Sequence, residues 1–323
     1  MATLPVFALS NSRVWFRVLA VAIGACVAAV LGEISYRTLR SGGLGPTTNT
    51  AYVRFDPALG WSYRPNSRAR HCTDEFDVEV AIHSRGFRGP EWPNDSERPR
   101  ILVLGDSNAF GWGVAFEQSF SGRLQAAHPE WDVRNAAVAG YGADQELLLL
   151  RQLRQEITPA AVVCVYCDND LWESSTDEAY GRIKPQFVLL RGDLALRASH
   201  LDSSWLLENS MLYAAVEKRM WQSRFAAWQR NRASEWQLLE RIYCAMRDEL
   251  QGVPLVLVSE EPHWSEFARL ERGIVHVDVR EALGRAEAPT RFAADRHWNA
   301  AGHAAVAVSV GEALASTLTA QPK

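Results

Sequence analysis

The chain has 323 residues, of which 47% are hydrophobic and 22% are charged, and its formal net charge at pH 7 is -4. These values are ordinary for a globular protein and leave ample material for a core. The weak acidity and the lack of a long basic run exclude nucleic acid as an expected partner.

The first predicted element is an apolar segment near the amino terminus. An uncharged run from Val18 to Gly32 lies between Arg17 and Glu33. With its apolar flanks it approaches the length of about 20 residues that a membrane-spanning helix needs. We favour a single membrane anchor in residues 1–37. A cleaved signal peptide and a lipoprotein site at Cys26 remain alternatives.

Residues 38–95 predict a linker followed by a short strand region. The first part is rich in Gly, Thr and Pro, as linkers often are. The stretch FDVEVAIHSRGFRG then alternates polar and apolar residues, as a short strand does, before a turn at Gly86 and Gly89.

From residue 96 to 320, short apolar runs alternate with helical segments, which is typical of an α/β domain. Uniformly apolar strands are buried on both faces, as in a parallel sheet. The pattern therefore predicts a three-layer α/β/α sandwich with a mostly parallel five-stranded sheet, broken by an insertion at about residues 182–232. The predicted strands are Ile101–Leu104, Val133–Val138, Ala161–Tyr166, Leu255–Ser259 and Ile274–Val279.

The five cysteines are too few and too scattered for a disulfide framework. Cys164 and Cys167 lie in the apolar run AAVVCVYC, where a strand would point them to opposite faces. We interpret both as buried small hydrophobic residues rather than as a metal or redox pair.

Polar residues follow the predicted strands at positions where an α/β sheet binds its ligands. Each of them also has a structural explanation, because such residues cap helices and form turns. They are Asp106 and Ser107 after the first strand, Gly140 after the second, Asn169 and Asp170 after the third, and Asp295 and His297 near the carboxyl terminus.

Taken together, these residues supply the parts of an acyl-transfer site. Ser107 is a nucleophile that needs a base, His297 can be that base, and Asp295 can orient the imidazole. The backbone N–H groups of Ser107 and Gly140, with the Asn169 side-chain amide, would form an oxyanion hole. We interpret Asp106 and Asp170 as supporting residues that hold their loops by hydrogen bonds.

This arrangement resembles the SGNH/GDSL hydrolase superfamily, whose sequence blocks carry Ser, Gly, Asn and His in this order. The motifs GDSxxxGxGV and DxHWNxAGH, and the stretches FDPALGWSYRPN and HSRGFRG, resemble a membrane-anchored bacterial subgroup. The resemblance implies a flavodoxin-like SGNH hydrolase fold, a serine esterase activity and a catalytic domain on the extracytoplasmic side of the membrane.

Three positions depart from the common family pattern. Asn108 replaces the leucine of the GDSL motif, and Cys167 stands where the third block usually has glycine. The usual Asp-x-x-His spacing falls on Ala294, so the acid is expected to be Asp295 in an Asp-x-His motif, and a Ser–His dyad remains an alternative.

The leading hypothesis is a serine esterase that cleaves an ester on an acylated envelope glycan or lipid. It needs neither a cofactor nor a metal. An O-acetyltransferase with the same Ser–His site and a catalytically silent binding or assembly protein are the alternatives. A metallohydrolase is less favoured, and NAD or ATP binding is not expected because the sequence has no G-x-G-x-x-G motif or P-loop.

Overall fold

The structure is a computed structural model that describes residues 12–41, 52–197 and 233–320, together with residues 210, 212, 213, 215, 216, 219 and 220. The α-helices are α1 (Ser12–Ser41), α2 (Ser107–Phe110), α3 (Phe120–Ala127), α4 (Ala143–Leu153), α5 (Asp170–Glu173), α6 (Ala233–Glu249), α7 (His263–Leu270), α8 (Arg280–Gly284) and α9 (Ala300–Thr319). The strands are β1 (Val53–Asp56), β2 (Gly60–Tyr63), β3 (Ser67–Cys72), β4 (Asp77–Ile82), β5 (Arg100–Gly105), β6 (Asp132–Asn135), β7 (Ala161–Val165), β8 (Glu178–Ala179), β9 (Arg182–Ile183), β10 (Gln186–Leu190), β11 (Asp193–Arg197), β12 (Leu255–Ser259) and β13 (Ile274–Asp278).

The centre of the fold is a five-stranded parallel sheet with the order β13-β12-β7-β5-β6. Numbered along the chain, this is the doubly wound order 2-1-3-4-5, which reverses between β5 and β7. Ligands of such sheets bind where the order reverses, outside the carboxyl ends of the strands. Ser107 follows one of these two strands and Asn169 follows the other.

Helices cover both faces of this sheet. α3 packs on α9, and α4 packs on α6. Successive residues of a strand point to opposite faces, yet Ile101–Leu104 of β5 and Ala161–Val165 of β7 are buried throughout. The predicted α/β/α sandwich with a parallel five-stranded sheet is thus confirmed, and a strand occurs at each of the five predicted positions.

The second strand of this sheet is shorter than predicted, because β6 ends at Asn135 rather than at Val138. The Asn135 Oδ1 atom accepts the N–H of Ala137 at 3.0 Å, and its Nδ2 donates to the Ala109 carbonyl at 2.9 Å. A side chain that bonds its own backbone two residues later favours a turn over a strand. The apolar residues that follow stay buried, which explains why their pattern resembled a strand.

The segment before the sheet packs on the domain through buried aromatic side chains. β1 pairs with β2 and β3 pairs with β4, each in an antiparallel hairpin. The buried aromatic residues of this segment are Tyr52, Trp61, Tyr63, Phe76, Phe87 and Trp92. Residues 42–51 of the predicted linker lie outside the described residues, and the proposed division into domains stays a prediction.

The predicted insertion begins with small hairpins. β8 pairs with β9, and β10 pairs with β11. Much of the remainder, including residues 198–209 and 221–232, lies outside the described residues.

The predicted anchor lies in α1. Residues Val14–Tyr36 form the one helical stretch, among the described residues, that is long and apolar enough to cross a membrane. A signal sequence near the amino terminus would meet the same criterion. The helix continues beyond the predicted limit of residue 37 to Ser41.

Arg88 links the amino-terminal segment to the loop after α2, and it is 1% exposed. Its guanidinium donates to the carbonyl of Phe110 at 3.0 Å and to those of Gly111 and Val114. Burial lowers the pKa of Arg88 to about 10, so the group stays protonated at neutral pH. One buried side chain thus satisfies three carbonyls beside the Ser107 helix.

We expect Arg88→Met to lower the free energy of unfolding by about 3 kcal/mol, because it leaves buried carbonyls without a donor. Chemical denaturation of the detergent-solubilised protein measures the change. The control is Arg68→Met, whose guanidinium pairs with Glu79 but is 74% exposed, and which should change little. Equal stabilities of the two variants would contradict this role of Arg88.

Candidate active site

Ser107 is the first residue of α2 and lies directly after β5. The turn depends on Gly105, which has φ +141°, and a Cβ there would lie 2.5 Å from the Ala109 Cβ. Asp106 caps the helix by accepting the Asn108 N–H at 3.1 Å. The sharp turn presents the half-buried Ser107 side chain at the point where the strand order reverses.

The structure brings His297 and Asp295 to this serine. The His297 Nε2 atom lies 2.7 Å from the Ser107 Oγ, and its Nδ1 atom contacts the Asp295 Oδ1. A chain of nucleophile, imidazole and carboxylate is the arrangement that activates a serine hydroxyl. The three residues that the sequence suggested as a catalytic set therefore lie in one hydrogen-bonded line.

The backbone between them explains how an Asp-x-His motif can place two neighbours in contact. Arg296, the middle residue, has φ +73°, the left-handed conformation that few non-glycine residues adopt. Its carbonyl accepts a hydrogen bond from Arg291 Nη1 at 2.7 Å. This conformation turns Asp295 and His297 to the same side, so Asp295 can replace the acid that the family pattern would have at Ala294.

Asp295 is held as a carboxylate. Burial raises its pKa, but hydrogen bonds from His297 and Trp112 lower it by more, and the net shift is downward. The Trp112 Nε1 atom donates to the Asp295 Oδ2 at 3.3 Å. The ionised carboxylate can accept the His297 Nδ1–H and leave Nε2 free to take a proton.

Glu75, which the sequence analysis did not single out, holds the loop that carries this pair. Its carboxylate accepts the backbone N–H groups of Ala294 at 3.0 Å and Asp295 at 2.8 Å. These two hydrogen bonds lower the pKa of Glu75. The turn between β3 and β4 thereby fixes the Asp295 backbone from a distance of 220 residues along the chain.

A buried histidine lies behind the same contact. The His71 ring packs edge-on against Trp112, with ring centroids 4.0 Å apart. Burial lowers the pKa of His71 to about 4, so this ring is neutral at neutral pH. It therefore packs against Trp112 without adding a charge next to Asp295.

Asn169 lies at the opposite side of the nucleophile. Its Nδ2 atom is 2.9 Å from the Asp106 Oδ2 and 2.9 Å from the Glu173 Oε2, so two carboxylates share one amide. The Asp106 Oδ2 also lies 3.1 Å from the Ser107 Oγ. Asp106 therefore contacts both the Ser107 side chain and the Asn169 amide, and its role as a supporting residue stays a prediction.

Asp170 is fully buried and bonds its own loop, since its Oδ2 accepts the Cys167 N–H at 2.8 Å. Cys167 lies beyond the end of β7 and lines the cavity. The prediction that both cysteines of AAVVCVYC are buried is confirmed for Cys164, whereas Cys167 is only partly buried because the strand ends at Val165.

Asn108, the residue in place of the family leucine, joins two of the loops. Its Nδ2 donates to the Cys167 sulfur at 3.2 Å, and its Oδ1 accepts the Trp298 N–H at 3.1 Å. The Cys167 thiol in turn lies 3.1 Å from the Asp106 Oδ1. The two unusual residues therefore contact each other and bridge the loops of Ser107, Asn169 and His297.

Gly140 lies near the site but does not line the described cavity. It has φ +80°, and a Cβ there would meet the Tyr180 ring at 2.7 Å. The amino-terminal segment holds the preceding residue, because the Ala139 N–H donates to the Tyr63 hydroxyl at 2.8 Å. Of the predicted oxyanion-hole residues, the structure brings Ser107 and Asn169 into one cavity and leaves Gly140 beside it.

The cavity around Ser107 has a volume of about 280 Å³ and a mostly polar lining. His303, which also lies near the carboxyl terminus, is fully buried on α9 and is not part of this lining. The lining residues are Ser107, Asn108, Tyr166, Cys167, Asp168, Asn169, Glu260, Arg291, Asp295, Arg296, His297 and Trp298.

No family model and no curated protein matches the chain. Solved structures do resemble it. The crystal structure of TesA has 17% identity and a TM-score of 0.41, and the match covers 67% of this chain and 97% of TesA. A lipolytic protein of the G-D-S-L family from Veillonella parvula has 10% identity and a TM-score of 0.41, with 66% and 96% of the two chains covered.

A family 3 carbohydrate esterase from Clostridium thermocellum has 12% identity and a TM-score of 0.40, and the match covers 69% of this chain and 98% of the esterase. The description of one of these matches names the G-D-S-L family. At these identities and TM-scores, the chemistry of the site has to follow from its own residues.

We expect Glu75→Ala to slow the labelling of Ser107 by a fluorophosphonate by about 10- to 100-fold, because Asp295 and His297 lose a fixed backbone. Glu75→Gln keeps one acceptor oxygen and should lie between Glu75→Ala and wild type. The folded state lowers the pKa of Glu75. The contribution of the ionised carboxylate to the stability of this loop is therefore present at neutral pH, and it is lost as the pH falls through the lowered pKa.

The matched control is Glu79→Ala on the neighbouring strand β4, where the carboxylate pairs with the exposed Arg68. It should label at the wild-type rate. A Glu75→Ala protein that labels as fast as the Glu79→Ala control would contradict the positioning role.

Proposed function

We propose that the protein is a serine esterase that cleaves ester bonds through an acyl-enzyme on Ser107. The single observation that carries this proposal is the hydrogen-bonded line from the Ser107 Oγ through His297 to Asp295. A serine with this partner can be deprotonated as it attacks, whereas an ordinary serine hydroxyl is a poor nucleophile.

In the first half-reaction, the His297 Nε2 takes the Ser107 proton while the Oγ attacks the carbonyl carbon of the ester. The carbonyl oxygen becomes an oxyanion, which the Ser107 N–H, the Gly140 N–H and the Asn169 amide are proposed to bind. The intermediate collapses, the bond to the alcohol breaks, and the His297 imidazolium returns its proton to the departing alcohol.

In the second half-reaction, water replaces the alcohol. The neutral His297 removes a proton from that water, whose oxygen attacks the acyl carbon and forms a second oxyanion. The acid then leaves, and His297 gives the proton back to the Ser107 Oγ. Asp295 stabilises the imidazolium in both halves, since its carboxylate contacts the Nδ1 atom.

We further propose that the substrate carries its ester on a glycan or lipid of the cell envelope. The α1 helix supports a membrane location. We propose that the chain beyond this helix acts on the extracytoplasmic side. The polar side chains around Ser107 suit a substrate with hydroxyl or charged groups next to the ester better than an apolar tunnel would.

The test is covalent labelling of the full chain in detergent with a fluorophosphonate, with the adduct located by peptide mass spectrometry. We expect one adduct at Ser107, and none in Ser107→Ala. His297→Ala should slow labelling by about 10²- to 10⁴-fold, which is the contribution of a general base. The control His263→Ala removes an imidazole on α7 that contacts Glu240, and it should label normally.

Asp295→Asn separates a triad from a dyad in the same experiment. If Asp295 acts as proposed, the rate should fall by about 10⁴-fold, because an amide can donate to Nδ1 and turn the imidazole to the wrong tautomer. A normal rate would favour the dyad. A folded wild-type protein without any adduct would favour the catalytically silent protein instead.

A further inference from the structure

Glu173 is a buried acid that the proposed mechanism does not use. It is the last residue of α5 and is 0% exposed. Its Oε2 accepts the Asn169 Nδ2 at 2.9 Å, and its Oε1 accepts the Tyr180 hydroxyl. Burial and the nearby Asp106 raise the pKa of Glu173 well above its usual value, although the hydrogen bonds from Tyr180 and Asn169 oppose part of that shift. Each oxygen of this buried carboxyl group thus has a hydrogen-bond partner, as buried polar atoms usually do.

The first partner is the amide of Asn169. One N–H of this amide points to Glu173, and the other points to the Asp106 Oδ2. The same Asp106 Oδ2 lies 3.1 Å from the Ser107 Oγ, so the second N–H lies on the side of Ser107. The bond to Glu173 thus fixes the orientation of the amide and leaves its second N–H directed toward the Ser107 loop.

The second partner reaches Gly140. The Tyr180 ring covers this residue so closely that a Cβ at Gly140 would lie 2.7 Å from the Tyr180 Cε2. Tyr180 itself has φ +55°, a conformation that tyrosine rarely adopts. The hydroxyl bond to Glu173 holds the ring in this place.

The residue after Glu173 binds the same turn. The Ser174 Oγ accepts the Ala143 N–H at 2.9 Å, and a Cβ at Gly142 would lie 2.8 Å from the Ser174 N. The end of α5 therefore packs tightly against the chain that follows Gly140.

We propose that Glu173 is a positioning residue that orients both remote parts of the oxyanion hole, the Asn169 amide directly and the Gly140 backbone through the Tyr180 ring. This inference rests on the proposed function, since it assigns Glu173 a role in the same site. The residue touches neither the nucleophile nor His297 and acts only through its two partners.

A glutamine can make both contacts. Its carbonyl oxygen can accept from Asn169, and its N–H can donate to the Tyr180 oxygen, because a tyrosine hydroxyl both donates and accepts. A leucine of similar size can make neither. Glu173→Gln and Glu173→Leu therefore separate the hydrogen bonds from the packing of the side chain.

The experiment measures kcat and KM for a small activated ester, such as 4-nitrophenyl acetate, and the rate of phosphonate labelling at Ser107, with the full chain in detergent. We expect Glu173→Leu to lower kcat and the labelling rate by about 10²-fold with KM changed by less than about threefold, as removal of an oxyanion donor does. Glu173→Gln should retain most of the activity. Tyr180→Phe keeps the ring but loses the bond, and it should give a smaller decrease.

The matched control is Glu146→Gln. Glu146 is also buried, at 1% exposure, but it contacts the Cys164 thiol instead of an oxyanion-hole residue. Burial raises the pKa of Glu146 to about 8, so a neutral amide is a close replacement at neutral pH. This variant should keep the wild-type kcat.

Each other result overturns the inference. A Glu173→Leu protein with the wild-type kcat per labelled Ser107 would do so, and so would an equal decrease in Glu146→Gln. If Glu173→Leu does not fold, a Tyr180→Phe protein with unchanged kcat contradicts the proposal.

Asp106, Asp170 and Glu173 each place a ligand atom within 4.8 Å of the others. Activity lost on treatment with a chelator and restored by a divalent cation would make the cluster a metal site instead.

An unreactive wild-type protein identifies a different failure. It would overturn the proposed function and this inference together. A reactive wild type with unaffected Glu173 variants overturns only the inference, so the two failures are distinguishable.

Discussion

The strand order of the central sheet reverses between β5 and β7, and this reversal determines where the candidate active site lies. The chain leaves the two strands in opposite directions, which opens a crevice at their carboxyl ends. Ser107 follows β5, and Asn169 follows β7, so the nucleophile and the amide face each other across that crevice. The loop with Asp295 and His297 closes it, and the short contact between His297 and Ser107 completes the line.

Hydrogen bonds between buried polar groups keep these loops in place. The Asp106 carboxylate contacts the side chains of Ser107, Asn169 and Cys167. Asn108 joins the Cys167 sulfur to the backbone of Trp298. Buried polar groups are costly unless they are paired, so displacement of one loop would leave partners in the others unsatisfied. The amino-terminal segment adds Arg88, Glu75 and Tyr63, each of which binds backbone of a different loop. This segment is therefore part of the site's construction as well as a connection to α1.

The sequence could predict what depends on local pattern. Apolar runs predicted the five strands of the sheet, and the polar residues at the ends of two of them identified Ser107 and Asn169, because parallel strands bring their carboxyl ends to one edge. His297 was identified by the motif DxHWNxAGH near the carboxyl terminus. Asp295 was predictable only from its spacing to His297, and the left-handed Arg296 that makes the contact possible leaves no pattern in the sequence. The early end of β6 was missed because the side chain of Asn135 ends a strand whose apolar residues continue.

Glu75 and Glu173 could not be predicted for a different reason. Each is a single acidic residue in a loop or at a helix end, and its role follows from partners whose position only the folded chain defines. The catalytic roles of Ser107, His297 and Asp295 themselves are proposals that rest on their geometry.

The most direct test of these roles is a crystal structure of the protein after reaction with a phosphonate ester, which mimics the tetrahedral intermediate. The account predicts phosphorus bonded to the Ser107 Oγ and a phosphonyl oxygen within about 3 Å of the Ser107 N, the Gly140 N and the Asn169 Nδ2. A phosphonyl oxygen that points away from all three donors, or an adduct on another residue, would contradict the account.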